Sequence, residues 1–232
     1  MAIALDTATT KTGAAASYTW AHTCTGADLI LVVEIAWVAS DAGRWINTVT
    51  YDGIALTKVA GLVSDRDRCE LWYLIGPPTG SNNVVVTNAG AGGKTAEIAA
   101  GAVSYTGVHQ TDPISGFVTQ TGSGASITKD ISSGADNLVV DIVAAHTNGV
   151  GVSFAPGGGQ SEEWNVEFGT IIIEKQTNPA GFGGNFGFTG EITTGLAHGE
   201  FETKRVPPGT YTVTETGKAG WTLSGIDCKD NN

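Results

Sequence analysis

The chain has 232 residues, of which 33 are glycine and only 15% are charged. This composition is typical of short strands joined by tight turns, and no segment has the apolar spacing of an amphipathic helix. Acidic residues outnumber basic ones 23 to 12, for a formal net charge of -11, which argues against nucleic-acid binding because phosphates would be repelled.

The first residues, 1–13, lack the basic and long apolar regions of a secretory signal. The longest apolar run, residues 29–39, contains Glu34 and is too short to span a bilayer. We therefore expect this run to form a buried strand in a protein that is not inserted in a membrane.

The next elements are short strands separated by turn signals. Asp-Gly at residues 52–53 predicts a hairpin, and residues 69–90 read as strand, Pro-Pro-Thr-Gly turn and strand. Residues 96–108 predict a close-packed strand of small residues. Residues 126–147 predict two strands around Ser-Gly-Ala-Asp, and residues 149–168 predict a glycine-rich loop that leads into a strand. Many short strands at this spacing favour a sandwich or jelly roll.

The composition changes near Phe168, where a new apolar run begins. We predict an all-β protein of two tandem β-sandwich modules, jelly-roll-like or immunoglobulin-like. The predicted domains are residues 1–167 and residues 168–232.

The second block carries "GTIIIEKQTNPAG", "FGFTGEI", "VPPGTYTVTETGKAGW" and "SGIDC" in that order. In this it resembles the prealbumin-like, Cna-B-type modules of bacterial surface proteins, most specifically over residues 211–216. The resemblance implies a closing strand after the Asp-Cys segment. We expect that strand either to lie outside this sequence or to be supplied by a neighbouring molecule.

The first block carries "SYTWAHTCTGADLILVVEI", "NTVTYDGIALTKV" and "CELWYLIGPPTGSNNVVVT". It is similar to β-sandwich modules of phage structural proteins and of surface proteins. This likeness contains no catalytic motif.

The Cna-B resemblance also implies an internal Lys–Asn isopeptide bond, with Lys175 as the amine and Glu215 as the assisting acid. Such a bond needs a neutral amine and a buried carboxylic acid that relays protons. The asparagine would lie on the closing strand, and Asn231 and Asn232 come too early in the pattern to replace it. The alternative for the same two residues is an ordinary ion pair.

The three cysteines, Cys24, Cys69 and Cys228, have no metal-ligand spacing. Cys24 and Cys69 would form a disulfide if their strands are neighbours, and otherwise they are buried free thiols. The charged run at residues 65–70 favours a solvated ion-pair ladder over a calcium site. We expect no metal and no cofactor.

Four histidines are scattered in the chain without the spacing of a metal or catalytic motif: His22, His109, His146 and His198. No nucleophile elbow is present, and the glycine-rich stretch at residues 155–160 lacks the residues of a phosphate loop. These patterns favour a protein that is not an enzyme.

Among the tryptophans, Trp37 and Trp72 lie in apolar strands and are expected in the core. Trp45 and Trp221 are the candidates for stacking on a glycan, against the commoner use of aromatic residues in buried packing.

Together these features favour a virion structural protein, most concretely a phage capsid decoration or head-fibre protein on the virion surface. Its expected partners are other copies of itself and capsid or tail proteins, with a host-surface glycan as a further ligand. The alternatives are an extracellular bacterial adhesin or filament subunit assembled by strand donation on the cell surface, and a glycan-binding module.

Overall fold

The structure, a computed structural model, describes residues 2–38, 44–64, 67–90, 96–114, 116–123, 128–145, 160–166, 169–181, 183–206 and 209–228. Within these ranges every regular element is a strand, so the predicted all-β class is confirmed. The chain divides into two compact units, residues 1–166 and residues 167–232, and each is described by itself.

The strands of the first unit are, in chain order, β1 (Ala4–Ala15), β2 (Ser17–Cys24), β3 (Ile30–Val38), β4 (Arg44–Tyr51), β5 (Ile54–Ala55), β6 (Thr57–Ser64), β7 (Asp67–Ile75), β8 (Gly80–Gly90) and β9 (Ala96–Thr106). They form a five-stranded sheet in the order β1-β9-β3-β7-β6 and a four-stranded sheet in the order β2-β8-β4-β5.

The strand pairing is nested. β1 pairs with β9, β2 with β8, β3 with β7, and β4 with β5, all antiparallel. A long hairpin folded over itself gives this pattern when its successive arms alternate between two sheets, which is the arrangement of a jelly roll. β6 follows β5 after one residue and joins the five-stranded sheet by pairing with β7.

The hairpin between β4 and β5 confirms the prediction from the Asp-Gly pair. Asp52 and Gly53 have φ angles of 50° and 75°, and Tyr51 pairs with Ile54 across the turn. Two central residues with positive φ define the type I′ turn that matches the twist of paired strands.

The main core lies between the two sheets. On β2 the side chains of Tyr18, Trp20, His22 and Cys24 are buried, and the residues between them point to solvent or are less buried. The strand period of two produces this division into an inner and an outer face. The inner face of the five-stranded sheet contributes Leu31, Val33, Ile35, Trp37, Trp72 and Ile98, among others. The expected core positions of Trp37 and Trp72 are therefore confirmed.

The five-stranded sheet is also covered on its outer face. There Val32, Val103 and Tyr105 form a second apolar cluster. The described residues between 108 and 166, which we call the covering segment, contribute Ile114, Val140 and Trp164 to this cluster.

The strands predicted over residues 126–147 and after the glycine-rich loop are wrong where the structure can be compared. Residues 128–145 and 160–166 contain no strand. Alternating valines and isoleucines predict a strand only if a neighbouring edge is free to pair with it. In this segment Val140 packs on the face of an existing sheet instead.

Gly101 on β9 makes room for the covering segment. It pairs with Glu34 of β3, so the two residues are adjacent on the outer face. A Cβ at position 101 would overlap the indole ring of Trp164. Glycine here is a packing requirement, because only the bare backbone lets the indole lie against the sheet.

We expect Gly101→Ala to destabilise the protein by about 2 kcal/mol, because the added methyl group displaces Trp164 from a filled site. Urea unfolding followed by tryptophan fluorescence measures the loss. Gly116→Ala is the matched control, since a Cβ there meets no atom within 4 Å. Equal stability of the two variants would contradict this packing.

The second unit contains β10 (Gly169–Glu174), β11 (Phe186–Gly190), β12 (Thr194–Leu196), β13 (Phe201–Val206) and β14 (Val213–Glu215). β10 pairs with β13, and the order β12-β11-β14 forms a second sheet. Phe186, Phe188 and Leu196 form its core, and Ile173, Val213 and Trp221 pack against them.

Candidate functional sites

The structure brings Lys175 and Glu215 together, although they are 40 residues apart in the chain. Lys175 follows β10, and Glu215 is the last residue of β14. The Lys175 Nζ atom donates to Glu215 Oε1 at 2.7 Å, and the two side chains are only 11% and 14% exposed. The pair is therefore largely withdrawn from water.

Aromatic side chains pack beside this pair. The Lys175 ammonium lies 4.4 Å from the centre of the Phe186 ring, and the Lys218 ammonium lies 4.5 Å from the centre of the same ring. On that ring Trp221 packs edge to face, with ring centres 5.3 Å apart. A cation beside an aromatic face in a poorly solvated site gains electrostatic stabilisation. Trp221, a candidate for glycan stacking, is half-buried and packs against this core.

The geometry defines an ion pair. The isopeptide bond stays a prediction, because the closing strand that would carry its asparagine is not among the described residues. Asn231 and Asn232 also lie outside them. Both charges of a buried ion pair have lost their hydration. Removing one partner therefore leaves the other charge buried and uncompensated.

We expect Glu215→Gln to destabilise the protein by about 2 kcal/mol, because it leaves the Lys175 ammonium half-compensated in a mostly buried site. Thermal unfolding measures this loss. Glu191→Gln is the matched control, because its pair with Lys204 is more exposed, at 30% and 45%. That substitution should cost less than about 0.5 kcal/mol.

Intact mass of the wild-type protein checks the same assignment. With Lys175 as a free amine, the mass equals that of the sequence. A mass lower by one ammonia would show that Lys175 has formed an isopeptide bond, and it would contradict the ion pair.

Sequence reasoning missed a buried polar network between β1, β2 and β9. His22 Nδ1 lies 2.9 Å from Thr9 Oγ1, and His22 Nε2 lies 3.1 Å from Ser104 Oγ. Ser104 donates to Asp6 Oδ2 at 2.7 Å, and Trp20 Nε1 donates to Thr9 at 3.1 Å. Because Ser104 donates to Asp6, the histidine is assigned its proton on Nε2 and accepts from Thr9 on Nδ1.

This network satisfies a neutral imidazole completely. Burial lowers the pKa of His22, and the nearby Asp6 carboxylate opposes that effect. Burial would raise the pKa of Asp6, but hydrogen bonds from Thr25 and Ser104 lower it on balance. His22 and Ser104 are fully buried, and the serine contacts the acid directly. A nucleophilic triad needs the acid to orient the histidine instead, so we assign this network a structural role.

A second missed feature is Glu34 on β3, which is only 5% exposed. Trp164 Nε1 donates a hydrogen bond to its Oε2 atom. The pKa of Glu34 is raised to about 7, mainly by burial. The Trp164 hydrogen bond opposes this rise, and the charges of Asp141 and Glu163 add to it. The signal in the sequence was a single carboxylate within the apolar run of residues 29–39.

The pKa of Glu34 makes folding depend on pH. The unfolded value is 4.5 and the folded value is about 7. Below the unfolded value both states bind the proton, and this contribution to stability is fully present. It is lost as pH rises through the folded value, because the unfolded chain releases its proton first.

We therefore expect Glu34→Gln to stabilise the protein by about 3 kcal/mol at pH 8 and to have little effect at pH 4. Glutamine keeps an acceptor for Trp164 but never ionises. Urea unfolding at both pH values measures the difference. Glu163→Gln, which changes a less buried carboxylate nearby, should change stability far less. An equal effect of Glu34→Gln at both pH values would contradict the assignment.

Cys24 and Cys69 do not form a disulfide, since all three cysteines are free. Cys24 lies beside Ser104, whose strand partner on β3 is Leu31. Cys69 pairs with Ala36, which is about 15 Å farther along β3. A disulfide requires Cα atoms within about 7 Å.

The remaining predicted residues are spread over the surface. Trp45 is 49% exposed on β4. His109 and His198 each accept a backbone N–H, from Asp112 and Thr177. His146 lies outside the described residues, as do the first two residues of the charged run at 65–70.

Within the described ranges, no group of three or more His, Cys, Asp or Glu side chains is arranged to hold a metal ion. The same ranges contain no helix that is long and apolar enough to cross a membrane. Comparison with models of known protein families, with curated proteins and with solved structures found no match.

Proposed function

We propose that this protein is a non-enzymatic structural protein of a virus particle, most concretely a phage capsid decoration or head-fibre protein on the virion surface. The observation that carries the proposal is the nested strand pairing of the first unit. Jelly rolls of this kind recur in viral capsid and lectin domains. The step from fold to function is an analogy of architecture.

The polar interior of the first unit supports a structural role. Its buried His22 and Ser104 are satisfied by each other and by their neighbours. Two hollows in the described residues are shallow, with volumes of about 390 and 470 Å³, and neither is lined by these groups. An acidic surface of net charge -11 suits a particle-surface protein that must stay dispersed.

Labelling of particles tests the proposal. Antibodies raised against the full chain should decorate purified virions of the source in immunogold electron microscopy, at regular positions on the head or tail. Capsid, portal or tail genes should flank the gene. Unlabelled particles together with neighbouring sortase or secretion genes would contradict the proposal.

The second candidate function is a surface filament subunit assembled by strand donation. It is favoured by β14, which among the described strands pairs with β11 alone. An unpaired edge can accept a strand from a neighbour. Polymers that resist denaturant, seen by electrophoresis of the native material, would favour this function.

A further inference from the structure

We propose that the outer face of the four-stranded sheet binds a neutral glycan chain, which lies along β4 between Trp45 and a polar hollow beside Asn83. This site goes beyond the proposed structural function, and its test does not depend on whether the protein belongs to a particle.

The outer face has an unusual composition for so acidic a chain. Its described outward side chains on β2, β8 and β4 between Trp45 and Thr50 are short and uncharged apart from the indole. Threonine dominates, at positions 19, 23, 48, 50 and 87. Within the described residues of the first unit, no element covers this face, in contrast to the outer face of the five-stranded sheet.

A hollow of about 390 Å³ opens at one end of this face. Thr50, Asp52, Ser81, Asn82 and Asn83 line it. The type I′ turn places Asp52 at its edge with a φ angle of 50°. Amide, hydroxyl and carboxylate groups together both donate and accept hydrogen bonds, as recognition of sugar hydroxyl groups requires.

Trp45 supplies the complementary surface at the other end. Ile46 is buried, so strand alternation directs the neighbouring Trp45 to the outer face, where it is 49% exposed. Trp45 and Thr50 are separated by about 15 Å along the strand. A flat indole packs against the C–H face of a sugar ring. An extended ligand of a few sugar rings would reach from the indole to the hollow.

Charge selects the class of glycan. Asp52 lies in the hollow, and the chain has a net charge of -11, so sialylated, uronic-acid or phosphorylated ligands would be repelled. A second copy of this chain fits the face less well, because stable interfaces between copies have an apolar core. Among the described residues of this sheet, the large exposed apolar side chains are Trp45 on β4 and Ile54 on β5, which is too little apolar surface for such a core. A hydroxyl-rich neutral chain matches both the polar strip and the single aromatic ring.

The test uses the full chain on an array of immobilised oligosaccharides. The array carries linear neutral chains of glucose, mannose, galactose and N-acetylglucosamine, with sialylated and uronic-acid chains for comparison. We expect binding to a neutral chain. Calorimetric titration with that oligosaccharide then measures the affinity. Trp45→Ala and Asn83→Ala should each weaken binding about tenfold.

Phe201→Ala is the matched control, because it removes an aromatic side chain that is 65% exposed in the second unit. It should leave the affinity unchanged, and thermal unfolding should show that all three variants fold. Absence of binding across the array, binding of acidic chains alone, or unchanged affinity of Trp45→Ala would overturn the proposal. A change of oligomeric state in Trp45→Ala, seen by sedimentation, would overturn it in favour of an interface between copies.

Discussion

Burial of β3 on both faces and both edges is the constraint on which the first unit depends. Its edges pair with β7 and β9, and its alternate side chains enter two separate apolar clusters. A strand with apolar residues on both faces needs a cover on each side. The four-stranded sheet covers one face, and the covering segment supplies part of the cover on the other. The absence of strands in the described parts of that segment follows from this use, since its side chains pack on a sheet face.

The same constraint explains why the two buried glutamates of the first unit, Glu34 and Glu70, differ in how their charge is compensated. Glu70 lies on β7 with Lys58 at 2.5 Å and the Trp72 indole N–H at 2.9 Å, so its charge is compensated. Glu34 receives the Trp164 N–H, but Asp141 and Glu163 add like charge. For Glu34 the protonated form costs less free energy than the ionised form, because desolvating an uncompensated carboxylate costs several kcal/mol. The packing of the covering segment on the sheet is therefore linked to the protonation of Glu34, which accepts the Trp164 N–H.

Local pattern predicted the parts of the fold that depend on neighbouring residues. The apolar run of residues 29–39 became β3, and Asp52 and Gly53 became the predicted turn. The nested strand pairing could not be predicted from the sequence, because partners such as β1 and β9 are distant in the chain. The His22 network was missed for the same reason, since Ser104 is 82 residues away. Lys175 and Glu215 were paired beforehand only through a resemblance, and their surroundings of Phe186 and Trp221 required the structure.

The four-stranded sheet follows a different rule, because only its inner face belongs to the core. Threonine satisfies the strand geometry through its branched Cβ and solvates the outer face through its hydroxyl group. Lysine or glutamate on an outer face would solvate it equally well and would oppose unwanted association. Strand stability therefore does not explain why the described outward side chains of β2, β4 and β8 carry no charge in a chain with 23 acidic residues. These uncharged strands, between an exposed Trp45 and a hollow whose lining includes the Asp52 carboxylate, fit the proposed ligand, which carries hydroxyl groups and no charge.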